Sequence, residues 1–185
     1  MRLKLMGILA VCAAPVVASY LAYYVIKPGG RTNYGELIEP QRPVAALAVI
    51  APDNTAAGME RFRGKWVLLT TAERACDAAC AQRLYVMRQV RLTTGRDRDR
   101  IERVLLITDG STPAAALLAE HEGLQVLRAD PSTLAAGLPP AEAAGGPPTY
   151  VIDPLGNLMM RFPAQADANR MKKDIAKLLR ASRIG

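Results

Sequence analysis

Two cysteines four residues apart are the side chains in this sequence best suited to do chemistry. Cys76 and Cys80 follow a short apolar run, and helical spacing of apolar residues begins at residue 78. At a helix N-terminus, unpaired backbone N–H groups and the helix dipole stabilise a thiolate, the reactive form of cysteine. In a helix, the Cα atoms of residues i and i+4 lie about 6.2 Å apart, within the range that a disulfide tolerates. Both the dithiol and the disulfide are therefore sterically accessible to this pair.

Three roles are open to the cysteine pair. A purely structural disulfide would close a loop of about five residues, for which chain entropy contributes roughly 2 kcal/mol, and less where a helical turn already restrains the loop. Two reduced thiols could also simply pack together. Because the predicted domain contains no other cysteine, we favour the third role, which is redox chemistry or the binding of a metal.

An uncharged apolar segment at the N-terminus predicts a membrane anchor. Residues 5–26 are 22 consecutive positions without a charged side chain, and about 20 apolar residues span the hydrocarbon core of a bilayer as a helix. Three tyrosines near the end of this segment suit the headgroup region. A signal peptide cleaved near residues 16–18 is the alternative, but the apolar run continues well beyond that position. Cys12 lies inside the segment and is interpreted as a membrane-buried bystander.

Charges on either side of the apolar segment predict its orientation. The α-amino group, Arg2 and Lys4 precede it, whereas Lys27 and Arg31 follow it with Glu36 and Glu39 nearby. This small excess of positive charge before the segment favours a cytoplasmic N-terminus. In a bacterium, the protein would then cross the inner membrane once and hold its C-terminal domain in the periplasm, an oxidising compartment.

Strands and helices alternate in the part of the chain that follows the anchor. We divide the chain into a cytoplasmic N-terminus with a transmembrane anchor (1–27), a Pro/Gly-rich tether (28–43) and a folded domain (44–185). Residues 43–50 look extended, and apolar runs predict strands at 64–71, 103–108, 124–127, 150–153 and 158–162, the last two joined by a turn. Helical spacing predicts helices at 78–91, from Thr112 onwards, and at 166–180. Strands interleaved with helices indicate an α/β layer structure.

Two segments of this domain resemble a known family. They are Gly-Lys-Trp-Val-Leu-Leu at residues 64–69, which the Cys-x-x-x-Cys pair follows, and Tyr-Val-Ile-Asp-Pro-Leu-Gly at residues 150–156. With the single N-terminal anchor, they resemble the Sco/SenC proteins of the thioredoxin superfamily, which help assemble the copper centre of cytochrome c oxidase. The resemblance follows the order of elements over residues 44–182. It implies a thioredoxin-like domain, a central mixed sheet flanked by helices, behind one N-terminal transmembrane helix.

The resemblance also implies a metal site, from which this sequence departs at one ligand. In the family, two cysteines and one downstream histidine bind copper, and the cysteines match Cys76 and Cys80. The histidine position, five residues before Tyr150, is occupied by Gly145. The only histidine, His121, is predicted to be a solvated side chain near the end of a surface helix. Because two thiolates suit Cu(I) whereas Cu(II) prefers added nitrogen or oxygen donors, we expect disulfide exchange ahead of copper handling, with Cu(I) as the candidate metal.

A proline-rich segment supplies a third candidate catalytic residue. Residues 146–149, Gly-Pro-Pro-Thr, resemble the stretch around the cis-proline that faces the cysteines in thioredoxin-like reductases. The register against Tyr150 indicates Pro147, although Pro148 directly precedes the threonine. A cis X-Pro bond costs only about 0.5–1 kcal/mol relative to trans, so the cis form is accessible here. The alternative is an ordinary loop with two prolines.

Arginines crowd the helix predicted after the cysteines and the loop that follows it, in a chain of net charge +7. They are Arg83, Arg88, Arg91, Arg96, Arg98, Arg100 and Arg103, and three acidic residues interleave with them. One interpretation is docking onto an acidic membrane-complex subunit or onto lipid headgroups, and the other is a solvated charged face. The sequence lacks the aromatic-plus-basic stripe of a nucleic-acid binder, so we expect no nucleic acid among its partners.

These features predict a membrane-anchored thioredoxin-like factor that assists cytochrome c oxidase assembly through disulfide exchange or Cu(I) handling. The expected partners are a cytochrome c oxidase subunit or another thiol-bearing periplasmic protein, together with membrane lipid. A general periplasmic thiol–disulfide oxidoreductase, for example in cytochrome c maturation, is one alternative. A non-catalytic assembly or scaffold protein that keeps the fold and binds through its basic surface is the other.

Overall fold

A computed structural model describes residues 2–26, 33–45, 47–73, 76–139, 146–182 and 184. The chain divides into two compact units, residues 1–32 and residues 33–185. In the first unit, helix α1 spans Arg2–Leu21 and continues as a π-helical segment over Ala22–Ile26. Residues Arg2–Val25 are long and apolar enough to cross a membrane, judged by length and composition. The predicted N-terminal apolar helix is therefore confirmed.

The second unit is built on one mixed sheet. In the described part of the chain, its strands are β1 (Glu36–Pro43), β2 (Ala48–Ile50), β3 (Ala56–Gly58), β4 (Trp66–Ala72), β5 (Ile101–Ile107), β6 (Leu124–Ala129), β7 (Thr149–Ile152) and β8 (Asn157–Phe162). They lie in the order β1-β8-β7-β4-β5-β6-β2-β3. Neighbours β4, β5 and β6 are parallel, and the other pairs are antiparallel. The helices are α2 (Ala78–Thr93), α3 (Ala115–Glu120), α4 (Pro131–Gly137) and α5 (Ala168–Ala181).

Apolar side chains on both faces of the sheet explain the continuous apolar runs of β4 and β5. Successive side chains of a strand point to opposite faces. Leu68 and Leu105 pack on one face with buried residues of α2 and α5. Val67 and Val104 pack on the other face with buried residues of α4 and of the 3-10 turn Met59–Phe62. Because layers cover both faces of the central strands, this unit is the predicted α/β, thioredoxin-like arrangement of a mixed sheet flanked by helices.

Strand β1 corrects the tether predicted at 28–43. Residues 36–43 pair antiparallel with β8 at the edge of the sheet, with Glu36 opposite Arg161 and a register shift between Leu37 and Arg42. Prolines suggested a linker, but an edge strand needs few ladder donors and a bulge tolerates proline. The second half of the predicted tether therefore belongs to the folded unit, and residues 27–32 lie outside the described part.

Local signals predicted most of the remaining elements, but not strand β3, the start of α3 or helix α4. The 150–162 hairpin and the C-terminal helix are confirmed by β7, β8 and α5. Helix α3 begins at Ala115 rather than at Thr112, and no side chain caps it. Helix α4 was not predicted, although Asp130 caps it by accepting a hydrogen bond from the backbone N–H of Ser132 at 2.8 Å, with Pro131 in the first turn. That Asp-Pro pair is a recognised start signal.

Candidate redox site

A disulfide joins Cys76 and Cys80, and their Cα atoms are 5.1 Å apart. The separation is shorter than the roughly 6.2 Å of an i, i+4 pair in a helix, because Cys76 precedes α2 and adopts a left-handed backbone with φ of 61°. Cys80 is 1% exposed, whereas Cys76 is half-buried. A partner's sulfur can therefore approach Cys76 while the Cys80 sulfur stays inside.

The start of α2 places both cysteines at the end of the sheet where β4 terminates. Asp77 is the N-cap, and its carboxylate accepts a hydrogen bond from the backbone N–H of Cys80 at 2.8 Å. An aspartate in this position satisfies one of the orphan donors of the first turn. Both cysteines therefore lie at the positive end of the α2 dipole, which favours thiolates after reduction.

A pocket of about 290 Å³ lies along the first turns of α2 and reaches Ala79, the residue before Cys80. Its lining residues are Ala79, Gln82, Arg83, Val86, Thr149, Ala164, Gln165 and Ala166. Arg83 is 6% exposed, and its Nε has no hydrogen-bond partner among the described residues. Burial lowers the pKa of Arg83 below its ordinary value, and the negative charge of Asp77 opposes that shift. An incompletely satisfied buried guanidinium one helical turn after Cys80 was not anticipated from the sequence.

The proline segment does not contain the expected cis bond. Within the described residues, the only cis peptide bond joins Glu39 and Pro40, so the bonds preceding Pro147 and Pro148 are trans. The carbonyl of Pro148 accepts a hydrogen bond from the Oγ1 atom of Thr70 at 3.1 Å, which ties this segment to β4. The resemblance to a cis-proline loop is therefore corrected, and a catalytic role for Pro147 remains a prediction.

His121 is brought to the opposite end of the sheet from the cysteines. It immediately precedes β6, whose first residue Leu124 pairs with Arg103 near the start of β5, whereas the cysteines follow the end of the parallel strand β4. Within the described residues, no cluster of three or more His, Cys, Asp or Glu side chains could hold a metal. Gly145 lies outside the described part. The described residues therefore supply two sulfur donors at this edge, with no histidine beside them.

Comparison with known proteins identifies the family. A family model described as "Transmembrane-like, thioredoxin-like, C-terminal domain" matches residues 66–182. This match spans more than half of the chain. The chain belongs to that family. Among curated proteins, none matches the sequence significantly.

Solved structures share the fold of this transmembrane-like, thioredoxin-like domain. The apo Sco1 protein from Thermus thermophilus superposes with a TM-score of 0.60 at 18% identity, covering 83% of this chain and 98% of that one. Bradyrhizobium japonicum ScoI with copper bound superposes with a TM-score of 0.52 at 18% identity, covering 73% of this chain and 96% of that one. A thiol:disulfide interchange protein from Bacteroides sp. superposes with a TM-score of 0.56 at 14% identity, covering 77% of this chain and 91% of that one. The domain is thus a Sco-like thioredoxin fold.

The arginines of this transmembrane-like, thioredoxin-like domain do not form a single solvated face. Arg83 and Arg103 are buried, at 6% and 3% exposure. Arg91 donates from Nε to the carbonyl of Ile101 at 2.9 Å, and Arg100 donates to carbonyls at the end of α5 and beyond, including that of Leu179 at 3.1 Å. Several of these side chains therefore join elements of the fold, which a reading of charge along the sequence could not reveal.

His121 is also buried, at 3% exposure, so the prediction of a solvated side chain was wrong. Its Nδ1 has no hydrogen-bond partner among the described residues. Burial lowers the pKa of His121 below its ordinary value of 6.5; the charges of Arg103 and Arg88 lower it further, and Glu120 opposes them. His121 lies at the C-terminal end of α3, and its burial comes from tertiary packing that the residue pattern of a surface helix does not report.

This lowered pKa predicts a loss of stability in mild acid. The unfolded chain binds a proton at His121 near pH 6.5, whereas the folded chain does so only at lower pH, so stability is complete above that value and falls as pH drops toward the folded pKa. We expect the urea midpoint of the full chain to fall more between about pH 7 and pH 5 than that of His121→Leu. Parallel pH profiles for the two proteins would contradict the assignment.

Proposed function

We propose that this protein is a membrane-anchored thioredoxin-like factor that reduces disulfides of a thiol-bearing partner, or passes Cu(I) to it, during cytochrome c oxidase assembly. The observation that carries the proposal is the pairing of a half-buried Cys76 with a buried Cys80 at the N-terminus of α2. The anchor would place the domain in the periplasm of a bacterium, attached to the inner membrane. The shared fold with Sco structures supports the assembly context.

Disulfide exchange at this site proceeds in two steps. The Cys76 thiolate attacks one sulfur of the partner's disulfide, forming a mixed disulfide and releasing the partner's other sulfur as a thiolate. The Cys80 thiolate then attacks the Cys76 sulfur and releases the partner's second thiolate. The partner gains two electrons and the Cys76–Cys80 disulfide forms, so a second dithiol protein must return the pair to the reduced state. The resolving step is intramolecular, and the short distance between the two cysteines favours it.

Copper in this scheme is cargo. Two thiolates fit Cu(I), a soft ion, and Cu(II) would call for nitrogen or oxygen donors that the described residues do not bring beside the pair. A general thiol–disulfide oxidoreductase is the second candidate function, favoured by the absence of a histidine beside the cysteines among the described residues and by the fold shared with a thiol:disulfide interchange protein. A scaffold role would need neither cysteine.

Metal titration of the full-length chain in detergent tests the two-thiolate copper site. The reduced protein is expected to bind about one equivalent of Cu(I) through two thiolates and to lose that binding in Cys76→Ser, while Cu(II) is not held. The matched control is Cys12→Ser, which removes the remaining cysteine and leaves Cu(I) binding intact. Tight retention of one equivalent of Cu(II) would contradict the two-thiolate site.

The redox state in cells completes the test. A potential between about −270 and −120 mV would place the pair among thiol oxidoreductases, and a structural bond would lie below about −300 mV. Thiol trapping should find both oxidised and reduced protein in cells. Full oxidase activity in cells carrying the Cys76→Ser/Cys80→Ser double variant would instead support the scaffold role.

A further inference from the structure

We infer that the pocket along the first turns of α2 binds a carboxylate of the partner segment that carries the target cysteine, with Arg83 as its ligand. The partner recognised here is an acidic peptide segment, with an aspartate or glutamate next to the reacting cysteine. This inference rests on the proposed disulfide exchange, because it assigns the substrate preference of the same site.

Arg83 is the ligand we infer because its guanidinium is buried and one of its hydrogen-bond donors lacks a partner among the described residues. The side chain is 6% exposed, and the buried Nε has no hydrogen-bond partner among the described residues. Leaving a buried donor on a charged group unpaired is costly, and such groups in native proteins are usually completed by a partner, a water or a ligand. The nearby carboxylate of Asp77 attracts Arg83, but it already accepts from the N–H of Cys80.

The position of Arg83 links the pocket to the reacting sulfurs. Arg83 follows Cys80 by three residues, about one turn along α2, and Ala79, next to Cys80, lines the same pocket. A Cβ atom built on Gly146 would lie 3.6 Å from Nη1 of Arg83, so glycine there leaves this side of the guanidinium uncrowded. A side chain one or two residues from a cysteine attacked by Cys76 could therefore reach Arg83.

The lining of the pocket favours a carboxylate on a short aliphatic stem. A guanidinium presents parallel N–H groups that match the two oxygens of a carboxylate. The side chains of Gln82, Gln165 and Thr149 add polar groups, and Ala164 and Val86 provide apolar wall for methylene groups. At about 290 Å³ the pocket has room for one such side chain. An Asp or Glu side chain matches both the charge and the size.

Exchange with matched peptides tests this preference. Two peptides would carry one cysteine as a disulfide with uncharged 2-thiopyridine and differ only in glutamate or glutamine beside it. Reduced full-length protein, in a Cys12→Ser background, releases thiopyridone as the mixed disulfide forms, and Cys80 then frees the peptide thiol. We expect the second-order rate constant to be about tenfold higher for the glutamate peptide, as for a charge-assisted hydrogen bond.

Variants of Arg83 decide whether that residue is responsible. Arg83→Met should bring the ratio of the two rates close to one, and Arg83→Lys should restore part of the ratio. Arg96→Gln is the control, because it removes one exposed positive charge from the same basic stretch outside the pocket. Equal rates in the wild type, or a preference that survives Arg83→Met and falls in Arg96→Gln, would overturn the inference.

Unreactive peptides separate this inference from the proposed function. The same two peptides with serine in place of cysteine should bind the oxidised protein with an Arg83-dependent preference for glutamate, measured by titration. Failure of both thiopyridyl peptides to react would overturn disulfide exchange as the function, and the serine peptides would then still support or overturn carboxylate binding at Arg83.

Discussion

Cys80→Ser is expected to leave the protein covalently attached to its partner through Cys76. Cys76 is half-buried, so its sulfur can attack a partner's disulfide, whereas Cys80 is 1% exposed. The Cα atoms of the two cysteines are 5.1 Å apart. Without the Cys80 thiolate, the mixed disulfide has no resolving sulfur, so turnover should fall by roughly two orders of magnitude or more. Non-reducing gels of cells expressing the variant would show a complex that collapses on reduction.

The reciprocal variant distinguishes the two cysteines. Cys76→Ser should also abolish turnover but yield no trapped complex, because the remaining Cys80 sulfur is buried. Cys12→Ser should leave turnover and trapping unchanged, since Cys12 belongs to the other compact unit. Trapping by Cys76→Ser instead of Cys80→Ser would reverse the assignment of attacking and resolving residue.

Asp174→Ala is expected to cause a large loss of stability in the folded domain. Asp174 is 3% exposed, and its Oδ2 atom accepts backbone hydrogen bonds from Tyr34 at 2.7 Å and Gly35 at 2.9 Å. These bonds attach the segment before β1 to α5. Removing the carboxylate leaves two backbone donors without their acceptor, for which we expect about 2–4 kcal/mol in urea unfolding of the full chain.

Two further variants refine the Asp174 prediction. Asp174→Asn keeps one acceptor oxygen and should cost less than the alanine variant. Lys172→Ala, an exposed position on the same helix, should change stability by no more than about 0.5 kcal/mol. An alanine effect no larger than that of Lys172→Ala would show that the segment before β1 is held by other contacts.

Buried strands, hairpin and amphipathic helix could be predicted from the sequence because each depends on neighbouring residues. The continuous apolar runs of β4 and β5 indicate that both strands are buried. Asp153 stabilises the turn, because its carboxylate accepts hydrogen bonds from the backbone N–H groups of Leu155 and Asn157 at 2.9 and 2.8 Å. The C-terminal helix shows its inward stripe through Met171 and Ile175, both buried. Short-range spacing and turn chemistry are sufficient for these elements.

Edge strand β1 depends on a partner distant in the chain. Its Glu36 carboxylate accepts from Nε of Arg161 at 2.8 Å across a separation of 125 residues. Prolines and polar residues dominate its sequence, so no local pattern distinguishes it from a tether. Only the pairing with β8 makes it a strand, which is the usual reason that edge strands escape prediction.

The cysteine pair and its place at a helix start were determined by the sequence alone, because the apolar strand, the spacing and the following helix are all local. Tertiary structure decided how the pair can be used. It buries Cys80 and leaves Cys76 partly exposed. It also places His121 at the opposite end of the sheet and buries Arg83, which follows Cys80 by one helical turn. Burial of a polar side chain depends on which elements cover it, and that information lies in the packing of the sheet rather than in any one segment.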